Sequence, residues 1–191
     1  MTTMLTRASA DHDTQIFSDG ASVIVDADGA VLSFPAATVT AVALHHAIRL
    51  SSGLIHAAMP SWLLDRLRVP DQPVFASERS DATFTVAVDA ASGIGTGISA
   101  HDRARTLRVL ADRATIADDL VRPGHVLPVR CDDGGFRARR RCWELAVDLV
   151  VAGGLPPVAV VARLVDDDGD VLDDDAALAF AVDHGLQVHW A

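Results

Sequence analysis

The amino-acid sequence predicts an α+β fold: a single domain with a mixed sheet flanked by helices. Three observations carry this. The chain has 191 residues, half of them hydrophobic, which suffices for one sizeable core. Some segments repeat apolar residues at helical spacing, and others alternate them with polar ones. The two kinds of segment are interleaved, without the strict strand–helix alternation of a doubly wound parallel sheet.

Residues 1–18 are polar and irregular and read as a loose arm, with the folded domain over 19–191. SVIVDADG (22–29) predicts a buried strand ending in an Asp/Gly turn. TVTAVALHHAIRL (38–50) predicts a helix with Val42, Leu44, Ala47 and Ile48 inward and Thr38 or Thr40 as N-cap. SSGLIHAAM (51–59) is a further apolar segment, and SWLLDRLRV (61–69) a short helix stopped by Pro70. TFTVAVDA (83–90) alternates and is rich in β-branched residues, so it predicts one strand. SGIGTGIS (92–99) is a Gly-rich turn. SAHDRARTLRVLAD (99–112) opens with Ser and has Asp three residues on, a helix start. VRPGHVLPVR (121–130), with two prolines, predicts a loop joined to a short strand. WELAVDLVVAG (143–153) predicts a helix ended by glycine, VAVVARLV (158–165) a strand, DDDGDVLDDD (166–175) a turn region, AALAFAVDH (176–184) a helix and LQVHW (186–190) a last strand.

A formal net charge of −10 argues against a non-specific nucleic-acid binder, which needs a basic face. All 16 basic residues are Arg, so a lysine Schiff base is excluded. The only glutamates are Glu78 and Glu144. Cys131 and Cys142 are too few for a disulfide framework or a cysteine zinc site. No apolar run is long enough to cross a bilayer. The opening MTTMLTRASADHDTQ lacks an apolar signal-peptide core, so the expected location is the cytoplasm.

The order FTVAVDA, GTGISAHDRARTL, DLVRPGHVLPVR, Gly134–Gly135, ELAVDL and LVDDDG resembles the 3,4-dihydroxy-2-butanone 4-phosphate synthase family, over roughly residues 20 to 190. The resemblance implies a mixed α/β fold and a homodimer with sites between subunits. It also implies a magnesium-dependent rearrangement of ribulose 5-phosphate that expels formate. Several positions depart from the family pattern. The acidic loop of type Arg-Glu-Asn-Glu-Gly-Asp is here Asp26-Ala27-Asp28-Gly29-Ala30-Val31, leaving Asp26 and Asp28 as stand-in ligands or as a solvated turn. Arg-x-Gly-His-Thr-Glu is here Arg139-Arg140-Arg141-Cys142-Trp143-Glu144, with Cys142 at the metal-binding histidine and Trp143 at a phosphate-contacting threonine. A late glutamate aligns with Arg163, and a cysteine with His56.

These departures lead to an expectation of no metal cofactor, and of a lyase, isomerase or cyclase step on a different, unphosphorylated substrate. The alternatives are the family's own reaction with magnesium, and a non-catalytic homologue that binds a metabolite or partner. The expected catalytic residues are His125, Glu144, Cys142 and His56. His125 and Glu144 keep family positions, and Cys142 sits beside arginines at a helix start, where a thiolate is favoured. The expected substrate-binding residues are Arg139, Trp143, Thr96, Asp102 and Arg163. Each has a structural counter-reading, such as a core histidine for His56, a core tryptophan for Trp143 or cap roles for Thr96 and Asp102. The expected partners are a small-molecule substrate and a second copy of the chain, with no nucleic acid and no membrane.

Overall fold

Alternation along the central strands fixes this architecture, because those strands have both of their faces covered. The computed structural model describes residues 20–75, 77–78 and 82–191; the expected arm, 1–18, lies outside them. The strands are β1 (Ser22–Asp26), β2 (Gly29–Pro35), β3 (His56–Pro60), β4 (Thr83–Phe84), β5 (Val88–Ala90), β6 (Leu120–Cys131), β7 (Ala159–Arg163) and β8 (Gln187–Trp190). They form one sheet in the order β4-β6-β3-β7-β2-β1-β8, with β5 also paired to β6. β1–β8 and β3–β6 are parallel and the other pairs antiparallel, so the sheet is mixed as predicted.

The helices are α1 (Ala41–Arg49), α2 (Ser61–Arg66), α3 (Ala100–Ala111), α4 (Cys142–Ala152) and α5 (Asp174–His184). Val23, Val25, Leu32, Ala57, Met59, Val160 and Ala162 pack with Leu44, Leu64, Leu107, Leu110 and Ala177 of the helices on one face. Their strand neighbours Ile24, Val31, Ala58, Ala159 and Val161 pack under α4, against Cys142, Ala146, Val147 and Val150. This period of two has a consequence for function. Asp26 lies two residues from Ile24, His56 two from Ala58 and Arg163 two from Val161. All three therefore project on the α4 face, beside the start of that helix.

Local chemistry explains most element ends. The Thr40 and Ser99 side chains cap α1 and α3 by accepting from Ala43 N and Asp102 N. Asp173 caps α5, and Asp174 and Asp175 occupy its positive first turn. The acidic run is thus partly a helix start, and α5 begins two residues earlier than its apolar pattern suggested. Leu44, Ala47 and Ile48 face the core as expected, but Val42 is 58% exposed and Ala43 is buried in its stead.

Two strand predictions are corrected. Residues 121–130 belong to one twelve-residue strand, β6. Pro128 is tolerated there because its carbonyl still accepts from Thr85 N at 3.1 Å and Thr85 Oγ1 at 3.0 Å. Residues 83–90 form two short strands rather than one. Opposite Thr85, Pro128 has no N–H to return, and the ladder breaks there. At the far end β5 and β6 approach closely over Gly124, where a Cβ would lie 1.9 Å from the Val88 carbonyl carbon and 2.2 Å from Asp89 N.

Gly124→Ala is expected to destabilise the fold by about 3 kcal/mol, measured by chemical denaturation, because backbone would have to move. At Gly95 a Cβ would meet nothing nearer than 3.5 Å, so Gly95→Ala should cost far less. Equal stabilities would contradict the crowding.

Candidate active site

A cavity of about 370 Å³ opens at the start of α4 and is bordered by Asp26, Asp28, Ser52, Leu54, His56, Ala82, Phe84, Arg141, Trp143 and Arg163. One wall is aromatic. The rings of His56 and Trp143 lie 5.1 Å apart edge to face, with Phe84 5.8 Å from His56 and 6.4 Å from Trp143. The opposite side is charged. Arg163 Nη1 donates to Asp26 Oδ1 at 3.0 Å and to the Gly29 carbonyl at 2.8 Å. Asp26 Oδ1 also accepts from Asp28 N at 3.0 Å across the tight β1–β2 turn.

His56, Trp143 and Arg163 are thus brought together, with Asp26 and Asp28, as pocket residues. His56 is buried, and its pKa is pushed down to about 4 by desolvation; a backbone hydrogen bond with Val161 opposes the shift and the Arg163 charge adds to it. Its Nδ1 has no partner among the described residues. The imidazole is therefore neutral near pH 7, a hydrogen-bonding group rather than an acid.

Two expected catalytic roles are corrected. Cys142 is fully buried, and its thiol is pushed up first by burial, then by the Asp26 charge and a hydrogen bond to that carboxylate. The expected thiolate is disfavoured, because burial outweighs the neighbouring arginines. Glu144 is also fully buried. Its Oε1 accepts from Asp132 N at 3.0 Å and from Arg139 Nε at 2.6 Å, while Arg139 Nη2 donates to the Arg130 carbonyl at 2.8 Å. This pair ties the end of β6 to α4. Neither residue borders the cavity, so the predicted acid/base and anion-binding roles give way to a structural one.

His125, Asp102 and Thr96 gather elsewhere, around the Gly-rich turn. The buried Asp89 carboxylate accepts from His125 N at 3.0 Å through Oδ1, and Oδ2 lies 2.7 Å from His125 Nδ1. The ring is held by one nitrogen and remains 37% exposed, which presents the other. Asp102 Oδ2 accepts from Gly97 N at 3.1 Å. Gly97 has φ +90°, and a Cβ there would lie 2.1 Å from Asp89 Oδ2 and 2.6 Å from His125 Nδ1, so only glycine fits. Thr96 is exposed on this turn. Sequence reasoning missed Asp89 and Phe84. Asp89 did carry a signal, as an acidic residue on an otherwise apolar strand leading into a Gly-rich turn.

Protonating His56 costs more in the folded state than in the unfolded chain. Its contribution to stability is therefore full above pH 6.5 and falls as pH drops from 6.5 towards 4, by on the order of 3 kcal/mol. Urea unfolding of the wild type and His56→Phe should diverge over that range, with the wild type losing more. Parallel curves would refute the buried neutral imidazole.

The model of the 3,4-dihydroxy-2-butanone 4-phosphate synthase family matches residues 14–190. The riboflavin biosynthesis protein RibBA of Mycobacterium tuberculosis is 40% identical over 157 residues, 81% of this chain and 37% of that protein. Its counterpart in Mycobacterium marinum is 39% identical over the same share. The chain thus spans a little over a third of the length of these relatives. Among solved structures, a 3,4-dihydroxy-2-butanone 4-phosphate synthase in complex with two magnesium ions has a TM-score of 0.82 at 34% identity, over 94% of this chain and 91% of that one. The Candida albicans synthase also reaches 0.82, at 30% identity, over 94% and 92%. These findings overturn two expectations: a reaction on an unrelated, unphosphorylated substrate, and the lack of a metal cofactor. The departures from the family pattern are local, at the β1–β2 turn and around the start of α4, while the similarity runs through the scaffold. Among the described residues no helix is long and apolar enough to cross a membrane. The family model and the relatives at 30–40% identity agree over most of the sequence, and the chain belongs to the 3,4-dihydroxy-2-butanone 4-phosphate synthase family.

Proposed function

We propose that this chain is a 3,4-dihydroxy-2-butanone 4-phosphate synthase, a lyase that converts ribulose 5-phosphate to dihydroxybutanone phosphate and formate in riboflavin biosynthesis. The observation that carries the reading is the cavity at the start of α4. It combines carboxylates, guanidinium groups and a neutral imidazole in a scaffold shared with the magnesium-bound synthase. Arg141 and Arg163 on its wall complement a phosphate. His56 contributes a neutral ring to the wall, with its Nδ1 buried and without a partner among the described residues. Trp143 and Phe84 limit the access of water to the sugar chain.

Magnesium needs hard oxygen donors, and it commonly takes one or two protein carboxylates with water and substrate oxygens. Asp26 and Asp28 meet that minimum; the Cys142 thiol is too soft to contribute. No group of three His, Cys, Asp or Glu side chains able to hold a metal ion occurs among the described residues. Asp26 and Asp28 would hold the ion, which polarises vicinal sugar oxygens when bound.

His125 supplies proton transfer. Asp89 fixes the ring so that the outward nitrogen meets substrate, and Thr96 and Asp102 shape the turn beside it. His125 is not on the wall of the cavity around Trp143. Exposed Ile98 and Val121 lie on the segments that carry its surroundings, apolar side chains that a second copy would cover. The proposed assembly is a homodimer in which this surface faces the cavity of the partner.

Incubation with ribulose 5-phosphate and magnesium should release formate, and a chelator should stop it. Asp89→Asn should lower the rate by about a hundredfold or more. Absence of formate under all metal conditions would overturn the synthase reading. For the shared site, inactive Asp26→Asn and His125→Ala proteins, unfolded and refolded together, should regain about a quarter of wild-type activity, since half the dimers would carry one intact site. A mixture as inactive as its parts would refute the dimeric site.

A further inference from the structure

We propose that Arg163 is a tethered cation that competes with the divalent ion for Asp26. Metal would then bind only as the Arg163–Asp26 pair opens. The inference rests on the synthase reading in one respect, the placing of the ion at Asp26 and Asp28.

The Asp26 carboxylate is already well supplied with donors. Oδ1 accepts from Arg163 Nη1 at 3.0 Å and from Asp28 N at 3.0 Å. A divalent ion needs oxygen lone pairs that these donors use. The partners are also poorly solvated, with side chains 19% and 12% exposed for Arg163 and Asp26. At such burial the pair is stronger than a surface ion pair, and the repulsion between Arg163 and an incoming ion is less screened. Arg163 is further anchored by the Gly29 carbonyl at 2.8 Å, which fixes the guanidinium over the β1–β2 turn. Its position on β7, between β2 and β3 in the sheet, leaves only the side chain free to move. A released guanidinium remains on the cavity wall, where a substrate phosphate is a replacement partner. The pair therefore links the two binding events: metal takes Asp26 as substrate takes Arg163.

The test is Mn²⁺ binding to the full chain without substrate, followed by the loss of the free-ion electron paramagnetic resonance signal. Arg163→Gln is expected to bind Mn²⁺ at least about tenfold more tightly than the wild type, within the range of ordinary coupling between two ligands. Arg163→Met, which keeps the packing of the stem, should show the same gain. Arg163→Lys, which keeps a cation, should stay near the wild type. Adding Asp26→Asn to Arg163→Gln should abolish the gain. Unchanged or weaker binding in both neutral variants, or an equal gain in Arg163→Lys, would overturn the proposal. Formate release does not enter this readout. A chain that makes no formate can still show the gain, and an active synthase can lack it, so the two readings fail separately.

Discussion

A single guanidinium organises the candidate site. Arg163 leaves the middle of the sheet and bonds both the Asp26 side chain and the Gly29 backbone, the two residues that flank the β1–β2 turn. Without a cation there, Asp26 would be a poorly solvated carboxylate facing an aromatic wall, a costly arrangement. With it, the turn is held over the α4 face, and Asp28 is presented at the mouth of the cavity. The same charge helps to keep His56 neutral. The character of the pocket, an aromatic side opposite a compensated acid pair, follows from that placement.

Elsewhere the polar residues divide by burial. The buried Glu144 and the partly exposed Arg139 form a pair that joins β6 to α4 and positions Trp143, which lies between Cys142 and Glu144 in the sequence. Asp89 serves the exposed His125 in a different way, with both carboxylate oxygens on one residue. Two glycines make that approach feasible. Gly97 admits the Asp89 carboxylate, and Gly124 lets β5 and β6 close. Fold anchoring and chemistry thus use similar residue types, distinguished by whether an unengaged atom reaches solvent or a cavity.

Much of the fold was legible in the sequence, because helical spacing, alternation and capping residues act locally. Thr40, Ser99 and Gly153 end their helices as their chemistry suggests. What failed was non-local. The proline-containing β6 is held by neighbours on both sides, and the break at Thr85 depends on a residue forty-three positions away. The site was half legible. Trp143, His56 and Arg163 do meet at one cavity, since strand alternation and the start of α4 place them there. Glu144 and Cys142 did not fit their expected roles because burial is invisible in a motif. The expectation of a metal-free reaction weighed single substitutions against ligands and underrated the scaffold shared with the magnesium-bound relative.

The most direct test of the Arg163–Asp26 pair as the organising contact is a crystal soaked with manganese and ribulose 5-phosphate, with the metal located by anomalous scattering. The account predicts an anomalous peak at Asp26, with Arg163 turned from that carboxylate to the substrate phosphate. Substrate bound with the Arg163–Asp26 contact intact, and no metal at Asp26, would contradict it.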